Sequence, residues 1–493
     1  MNRLDDTRGT PGLGAVAAVV VLVALAGMIL GNFKGDWRPS HFDEWRSLAM
    51  AQRALDSGSL VREAPTGSPN GLARDITDRN RSLGFVAVVA GWLKVTPDPI
   101  GHYKGLALAF LLLYAGGVYG LSRKVGVGHW PALIAVLGLG TLPTDTMLLG
   151  PALAVPSSLS LGVLCWALVA HLELSRSSSQ RPAAWWALLA VSAGLLAAAY
   201  PLSLIVFAGL VALDCSARPG LLRERYIRWL AALGLAGGAL FLANEWQIDA
   251  ENTAEHLADL FLLNQRWHLV NSIVYTLDYM VPPALLGLAL AGACISLVDR
   301  SRIWIAGSFL IPLLMLGGYH FFQQGIIIPY QRVGLFLGLG ACLCAGVAVQ
   351  RLLDLLRSRR FPGWSQPLCI IAIALAVVLT PRPAPPFEHT KRRDRPGQAL
   401  ETVADRIAGT HSPPATIWAA PRDAMYLEAL TGLRVPAVAL DSLLTGKPPP
   451  PMDCTKNWDL VVGRCPCSGY SLAFVIGGVP VFTPSAAAGP APH

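Results

Sequence analysis

The sequence predicts an all-α polytopic membrane protein with about eleven transmembrane helices and a small extracytoplasmic α/β domain at its C-terminal end. Three observations lead to this fold class. Hydrophobic residues occupy 53% of the 493 positions and charged residues only 14%. A chain of this composition has more apolar surface than the cores of a soluble protein of its size can bury. The apolar residues form long runs. Lys and Arg are concentrated in alternate loops between these runs.

The first apolar run, Leu13–Leu30, is predicted to be an uncleaved transmembrane helix. It is longer than the core of a usual signal peptide, and no clear small-residue cleavage site precedes Trp37. The further runs predicted as spans are His102–Leu121, Pro131–Met147, Pro151–His171, Ala184–Ala199, Leu202–Leu213, Ile227–Ala243, Ile273–Val298, Ile303–Gly318, Val333–Val349 and Pro367–Thr380. The apolar segment Ser82–Val95 is short for a span, so an interfacial or re-entrant helix is expected there.

The basic residues predict the orientation of these spans, because Lys and Arg in short loops mark the cytoplasmic side. With the N-terminus inside, the cytoplasmic loops contain Arg123, Lys124, Arg176, Arg181, Arg218, Arg223, Arg225, Arg228, Arg300, Arg302, Arg351, Arg357, Arg359 and Arg360. The short outer turns near Gly150 and Pro201 contain none. The prediction is therefore a transmembrane domain at 1–380 with a long outer loop at 32–101, a linker at 381–397 and an extracytoplasmic domain at 398–493.

The C-terminal domain is predicted to be a small α/β fold. Helices are expected at Gln398–Ala408 and Asp423–Leu430, and extended segments at Thr416–Ala420 and Val435–Leu440. Three cysteines follow in a polar region, namely Cys454, Cys465 and Cys467. They can hold one disulfide if this region faces an oxidising compartment, and the sequence leaves that pairing open.

Two adjacent carboxylates, Asp43 and Glu44, are the first candidates for chemistry, because they follow the first helix directly. Carboxylates near a bilayer surface repel each other, and partial desolvation raises a carboxylate pKa, which suits a general base. The alternative is that both only cap the amphipathic helix that continues to about Leu60, where acidic side chains favour the helix dipole. The residues alone leave both interpretations open.

The whole arrangement resembles the GT-C superfamily of membrane glycosyltransferases, which includes protein O-mannosyltransferases and lipid A aminoarabinose transferases. The resemblance is carried by the Asp43-Glu44 pair, the interfacial helices of the first outer loop, the number of spans and the outward C-terminal domain. The run 328–336 (IPYQRVGLF) is also similar to the entry of a late helix in that superfamily.

The resemblance implies a sugar donor carried on a polyprenyl phosphate. It implies that Asp43 activates the acceptor hydroxyl, with Glu44 beside it, and that a second acidic residue lies in the next outer loop. Asp145 is on the predicted outer side and fits that position. Capping of a short turn by Asp145 is an equal alternative.

A polyprenyl phosphate leaving group needs cationic partners, because charge builds on its oxygens as the glycosidic bond breaks. Arg332 is the first candidate, since an Arg at the outer end of an apolar span is costly unless it is paired or snorkels. Arg79 and Arg81 are further candidates, although ion pairs within their own loop explain them equally well. Possible cavity-lining residues are His41, His320, Tyr330, Arg266 and His268, and solvated or packing roles are the alternatives for these.

Several other functions are disfavoured or left open by the sequence. No Gly-rich phosphate loop supports a nucleotide-sugar donor, and loop topology rather than nucleic acid explains the net charge of +8. The sequence leaves open whether Asp43, Glu44 and Asp145 together bind a divalent metal ion, and it implies no other cofactor. The expected acceptor is a glycan, a lipid or a protein. Two alternative functions remain: a transporter or flippase of lipid-linked glycans, and a non-catalytic membrane subunit of a glycan-assembly complex.

The expected location is a bacterial inner (plasma) membrane. High usage of Ala, Gly, Pro and Arg is typical of a GC-rich bacterial genome. In such a cell the outer face of this membrane meets the periplasm or cell-wall space.

Overall fold

The computed structural model describes two compact units of the chain. The described residues are 11–32, 37–39, 42–58, 83–143, 153–176, 182–232, 276–322, 330–380, 398–411, 415–419, 421–431, 433, 452, 458–463 and 465–485. The first unit comprises Met1–Asp36 and Ala107–Arg392, and the second comprises Trp37–Leu106 and Arg393–His493. The described residues of the first outer loop thus group with those of the C-terminal part, and the domain boundaries expected from the sequence stay a prediction.

The described residues are mostly helical. The helices are α1 (Pro11–Asn32), α2 (Phe42–Ser57), α3 (Leu83–Val95), α4 (Lys104–Lys124), α5 (His129–Gly140), α6 (Pro156–Leu174), α7 (Pro182–Ala199), α8 (Pro201–Ala217), α9 (225–232), α10 (Pro283–Val298), α11 (Ile303–Phe322), α12 (Tyr330–Ser358), α13 (Ser365–Leu379), α14 (Gln398–Thr410) and α15 (Pro421–Thr431). The strands are β1 (Ile417–Ala419), β2 (Leu460–Val462), β3 (Tyr470–Ile476) and β4 (Val479–Pro484).

The first unit is a multi-pass membrane bundle. Five helices in the described part of the chain are long and apolar enough to cross a membrane, and they cover Lys104–Lys124, Pro156–Leu174, Pro182–Ala199, Arg300–Phe321 and Arg332–Ser358. Shorter apolar helices, among them α5, α8, α10 and α13, coincide with the other runs predicted from the sequence. The full count of about eleven spans therefore stays a prediction.

Large apolar side chains are exposed along these helices, as expected for surfaces that face lipid rather than water. They include Val19, Val23, Val191, Ile205, Leu314 and Leu379, each more than half exposed.

Helix α12 lies at the centre of the bundle, where it packs against α5, α10 and α11. Glycines bring these backbones close together. A Cβ atom at Gly292 of α10 would overlap the carbonyl oxygen of Cys344, and one at Gly340 would overlap the carbonyl oxygen of Ser308. Small residues at such crossings let membrane helices approach closely enough for extensive van der Waals contact.

Ionisable side chains at the predicted cytoplasmic ends of α6 and α8 are paired. The fully buried His171 lies with Nε2 2.9 Å from Oδ2 of Asp214, which also accepts hydrogen bonds from the Arg218 guanidinium. Two residues further along α6, Glu173 forms ion pairs with Lys124 at 2.8 Å and with Arg176 at 2.9 Å. Pairing offsets the cost of burying charge at the end of a span.

The second unit combines helices with a four-stranded sheet of order β1-β2-β4-β3. Strands β1 and β2 are parallel, and β4 is antiparallel to both β2 and β3. Helix α14 buries Leu400, Val403, Ala404 and Ile407, the spacing of one helical face, and packs against α15 and the hairpin. Helix α15 packs in turn against α2, and α2 against α3.

The hairpin β3–β4 was not among the predicted elements. Its turn consists of Gly477 and Gly478, which both have positive φ angles, +55° and +82°. Two such residues between apolar β-branched runs are typical of a tight hairpin. The predicted strand Val435–Leu440 lies outside the described residues.

Candidate active site

The acidic pair lies in the first turn of α2, and its two members have different surroundings. Glu44 is 1% exposed, whereas Asp43 is only half-buried. Successive helical residues point about 100° apart, so the burial of Glu44 with its neighbour Trp45 turns Asp43 towards the more accessible side. Both carboxylates have interaction partners. Of the two, Asp43 is the one that a substrate can reach more easily.

The buried Glu44 is close to a tyrosine that the sequence interpretation did not single out. Burial, and secondly the nearby charge of Glu44, raise the pKa of the fully buried Tyr103 well above its usual value. Tyr103 therefore keeps its proton and can donate a hydrogen bond at any physiological pH. Glu44 is therefore buried within electrostatic reach of Tyr103.

Lys104 follows Tyr103 and is only 7% exposed. Its backbone N–H donates a 2.9 Å hydrogen bond to the carbonyl oxygen of Trp37, which links the start of α4 to the segment before α2. A cation in the first turn of a helix opposes the helix dipole. Lys104 has an interaction partner, which offsets this cost.

Arg332 lies in the first turn of α12, in the first unit. Its side chain is half-buried, and its buried Nη1 atom has no hydrogen-bond partner among the residues that the structure describes. An unsatisfied buried donor is costly, and nearly all such groups in proteins find a partner. The guanidinium can therefore donate a hydrogen bond from Nη1 to an anionic oxygen without giving up an existing bond at that nitrogen.

A narrow cleft in the first unit lies next to the beginning of α12, with room for no more than about one water molecule. It is lined by Tyr114, Leu142, Pro143, Leu161, Met280, Gly334 and Leu335. The lining is apolar except for Tyr114, whose buried hydroxyl has no hydrogen-bond partner within the described part of the chain. Gly334 follows Arg332 by two positions, so the cleft and this arginine share one end of α12.

The other predicted residues are placed as follows. His320 is exposed near the end of α11, its ring contacts Phe321 edge-on at 5.3 Å, and it is not part of the cleft lining. Tyr330 begins α12, and its side chain lies outside the described residues. Also outside them are His41, Arg79, Arg81, Asp145, Arg266 and His268. The structure thus brings Asp43, Glu44, Tyr103 and Lys104 into the second unit, and Arg332 with Tyr114 into the first.

Metal binding is not supported by a ligand cluster. Among the described residues, no group of three His, Cys, Asp or Glu side chains is arranged to hold a metal ion. The carboxylate trio predicted from the sequence includes Asp145, which is not described, so that possibility stays a prediction.

The C-terminal cysteines differ in redox state. Cys467 is disulfide-bonded, whereas Cys465 is a free, half-buried thiol that packs with Met452 and Trp458. A disulfide is typical of a compartment outside the reducing cytoplasm.

Comparison with known proteins defines the fold. The sequence matches no protein-family model and no curated protein. The structure is similar to ArnT from Cupriavidus metallidurans bound to undecaprenyl phosphate, with a TM-score of 0.54 and 13% sequence identity, over 97% of this chain and 98% of ArnT.

Two archaeal structures are similar as well. The Archaeoglobus fulgidus oligosaccharyltransferase tethered with an acceptor peptide has a TM-score of 0.54 and 12% identity, over 86% of this chain and 64% of that protein. AglB from the same organism, in complex with an inhibitory peptide and a dolichol-phosphate, has a TM-score of 0.52 and 11% identity, over 88% and 65%. All three are GT-C glycosyltransferases, so the chain has the GT-C fold, and the predicted resemblance is confirmed at that level.

Proposed function

We propose that this multi-pass membrane protein with the GT-C fold is a glycosyltransferase. It moves a sugar from a polyprenyl-phosphate donor to a glycan, lipid or protein acceptor at the extracytoplasmic membrane face. The observation that carries the proposal is the similarity of 97% of the chain to ArnT, which was crystallised with undecaprenyl phosphate. The lipid carriers bound in ArnT and AglB suggest the donor class for this chain.

Asp43 is proposed as the general base. A base must be reachable by the acceptor hydroxyl, and Asp43 is the more accessible carboxylate of the pair. It takes the proton as the acceptor oxygen attacks the anomeric carbon, and the polyprenyl phosphate leaves with the bonding electrons. A single displacement of this kind inverts the anomeric configuration. Glu44, buried beside it, helps to hold the first turn of α2.

Arg332 is proposed to bind the phosphate of the donor. Its unsatisfied buried Nη1 atom can donate to a phosphate oxygen, and a charge-assisted bond strengthens as negative charge develops on the leaving group. The apolar residues beside it at this end of α12 are proposed to contact the first isoprenoid units of the carrier lipid. Arg79 and Arg81 remain proposed as further phosphate contacts.

The active face is proposed to be extracytoplasmic, with the N-terminus in the cytoplasm of a bacterial cell. The alternation of basic loops supports this orientation. The disulfide of Cys467 supports it independently, because disulfides are typical of proteins in oxidising compartments.

The experiment compares sugar transfer by membranes that contain the wild-type protein, an Asp43→Asn variant or an Asp423→Asn variant. Asp423 is the matched control, since it is also a half-buried aspartate in the first turn of a helix, α15. Radiolabelled native polyprenyl-phosphate sugars serve as donors. We expect transfer by wild type and Asp423→Asn, and a loss of at least about 100-fold in Asp43→Asn. Equal transfer by both variants would show that Asp43 only caps its helix.

A further inference from the structure

The acidic turn of α2 is held by two contacts with the C-terminal part of the second unit. Nη1 of Arg38 lies 2.8 Å from Oε1 of Glu401, in the first turn of α14. The ring of Trp45 packs edge-on against Tyr426 of α15, with centroids 5.5 Å apart and an interplanar angle of 89°. Because Arg38 precedes Asp43 and Trp45 follows it, the two contacts flank the proposed base.

The two contacts differ in what they can contribute. Trp45 and Tyr426 are each 1% exposed, so their contact belongs to the core that joins α2 to α15. The side chains of Arg38 and Glu401 are 44% and 28% exposed. A pair that is this accessible to solvent adds little to folding stability, but it restricts the direction in which the chain enters α2.

The segment between these contacts has a third restraint. Trp37 accepts the backbone hydrogen bond from Lys104 at 2.9 Å, and Pro39 is buried. The chain before α2 is therefore attached to both α4 and α14. The direction of the first turn of α2 depends on the position of the C-terminal helices.

We propose that the C-terminal α/β region positions Asp43 for catalysis, and that Glu401 and Tyr426 are the positioning residues. This inference rests on the proposed function, in which Asp43 is the base. A displacement of a reacting group by about 1 Å can cost about 100-fold in rate, so contacts that set the direction of α2 act on turnover more than on donor binding.

The experiment measures kcat and the KM for the donor in the full-length protein carrying Glu401→Gln or Tyr426→Leu. We expect kcat to fall about tenfold while the donor KM stays within about twofold, because the phosphate site is not altered. Tyr426→Phe keeps the aromatic contact and retains kcat. The charge-exchanged pair Arg38→Glu with Glu401→Arg recovers part of the loss seen in Glu401→Gln.

The matched control is Asp405→Asn, which removes one exposed carboxylate from the same helix, one turn beyond Glu401, and leaves kcat unchanged. Wild-type kcat in both Glu401→Gln and Tyr426→Leu overturns the inference, while inactivity of Asp43→Asn in the same assay keeps the proposed function.

A readout that does not need activity completes the test. Amide hydrogen exchange in α2 is compared between wild type and Tyr426→Leu, with Asp405→Asn alongside. Faster exchange in the first turns of α2 supports the inference even if no donor is turned over. Unchanged exchange in Tyr426→Leu overturns it, whatever the transfer assay gives.

Discussion

Arg332 is the residue for which the structure makes the sharpest prediction about donor binding. Replacing Arg332 with Gln removes the charge-assisted bonds proposed for the donor phosphate. Such bonds contribute about 1.5–3 kcal/mol, so we expect the apparent donor affinity to fall about 10- to 100-fold. A titration of donor against transfer rate measures this effect.

The control for Arg332 is Arg351→Gln, because Arg351 is an exposed arginine in the same helix towards its other end. That variant should bind the donor as wild type does. If Arg332→Gln and Arg351→Gln titrate alike, Arg332 is a snorkelling anchor and takes no part in binding the donor.

Asp299, between α10 and α11, gives a prediction about pH. Its carboxylate accepts hydrogen bonds from Oγ of Ser301 at 2.7 Å and from the Ser301 N–H at 3.0 Å, and Arg302 lies 3.3 Å away. These contacts, the Ser301 hydroxyl first, lower the pKa of Asp299 below its usual value.

A carboxylate with a lowered folded-state pKa stabilises the protein above its unfolded pKa of about 3.9, and this contribution is lost as the pH falls through the lower folded value. As the pH is lowered, the thermal unfolding temperature should therefore fall more steeply for wild type than for Asp299→Asn. The difference will be small because the side chain is 45% exposed. If the unfolding temperatures of the two proteins change in parallel with pH down to pH 3, this account is wrong.

Single residues could be selected from the sequence only as candidates. Arg332 lies at the start of an apolar span and the Asp43-Glu44 pair follows the first helix, and the roles of all three stay predictions. Tyr103 could not be selected, because only the fold reveals that it is buried beside Glu44. The same limit applies to the contrast between half-buried Asp43 and fully buried Glu44, since the sequence does not show which side of α2 packs against other helices.

At the scale of helices, the close crossing of α10 and α12 depends on Gly292. Gly292→Ala places a methyl group against the Cys344 carbonyl, so the helices must move apart. Overpacking of this kind costs about 1–3 kcal/mol, and we expect a lower thermal unfolding temperature in detergent.

Gly287→Ala is the matched control, because Gly287 lies in the same helix and a Cβ atom there meets nothing within 4 Å. Its unfolding temperature should equal that of wild type or be slightly higher, since Ala favours helix more than Gly. Equal unfolding temperatures for Gly292→Ala and wild type would show that α10 and α12 lie further apart at Gly292 than in the structure.

Helices that follow from local sequence patterns were predicted well. Packing between residues far apart in the chain was not. The span helices follow from apolar runs, and α14 and α15 from helical periodicity. The hairpin β3–β4 was missed although its Gly-Gly turn is a local signal. The packing of α2 on α15 joins residues nearly four hundred positions apart, so no pattern along the chain could reveal it.

For the whole molecule, the orientation in the membrane is the prediction on which the location of the chemistry depends. Ser471→Cys places a thiol on the exposed strand β3, and Arg359→Cys places one at an exposed position after α12. A membrane-impermeant maleimide should label Ser471→Cys in intact cells, and Arg359→Cys only after lysis. The reverse pattern would place the C-terminal part in the cytoplasm.

The GT-C fold also bears on the transporter alternative. In the described spans the buried, hydrogen-bonded pair of His171 and Asp214 lies in the last turns of α6 and α8, away from the middle of the bundle. A path for a charged headgroup through the membrane needs polar groups along its whole length. This pair lies at one end only and does not provide such a path.

The most direct test of the central claim uses purified wild-type protein in proteoliposomes with radiolabelled polyprenyl-phosphate sugars and an acceptor extract from the native envelope. Label moving from the polyprenyl-phosphate donor to an acceptor, together with an equal amount of free polyprenyl phosphate measured by mass spectrometry, is the result that we predict for a glycosyltransferase. Donor that stays intact, whether it remains in its leaflet or crosses to the other, would contradict the account.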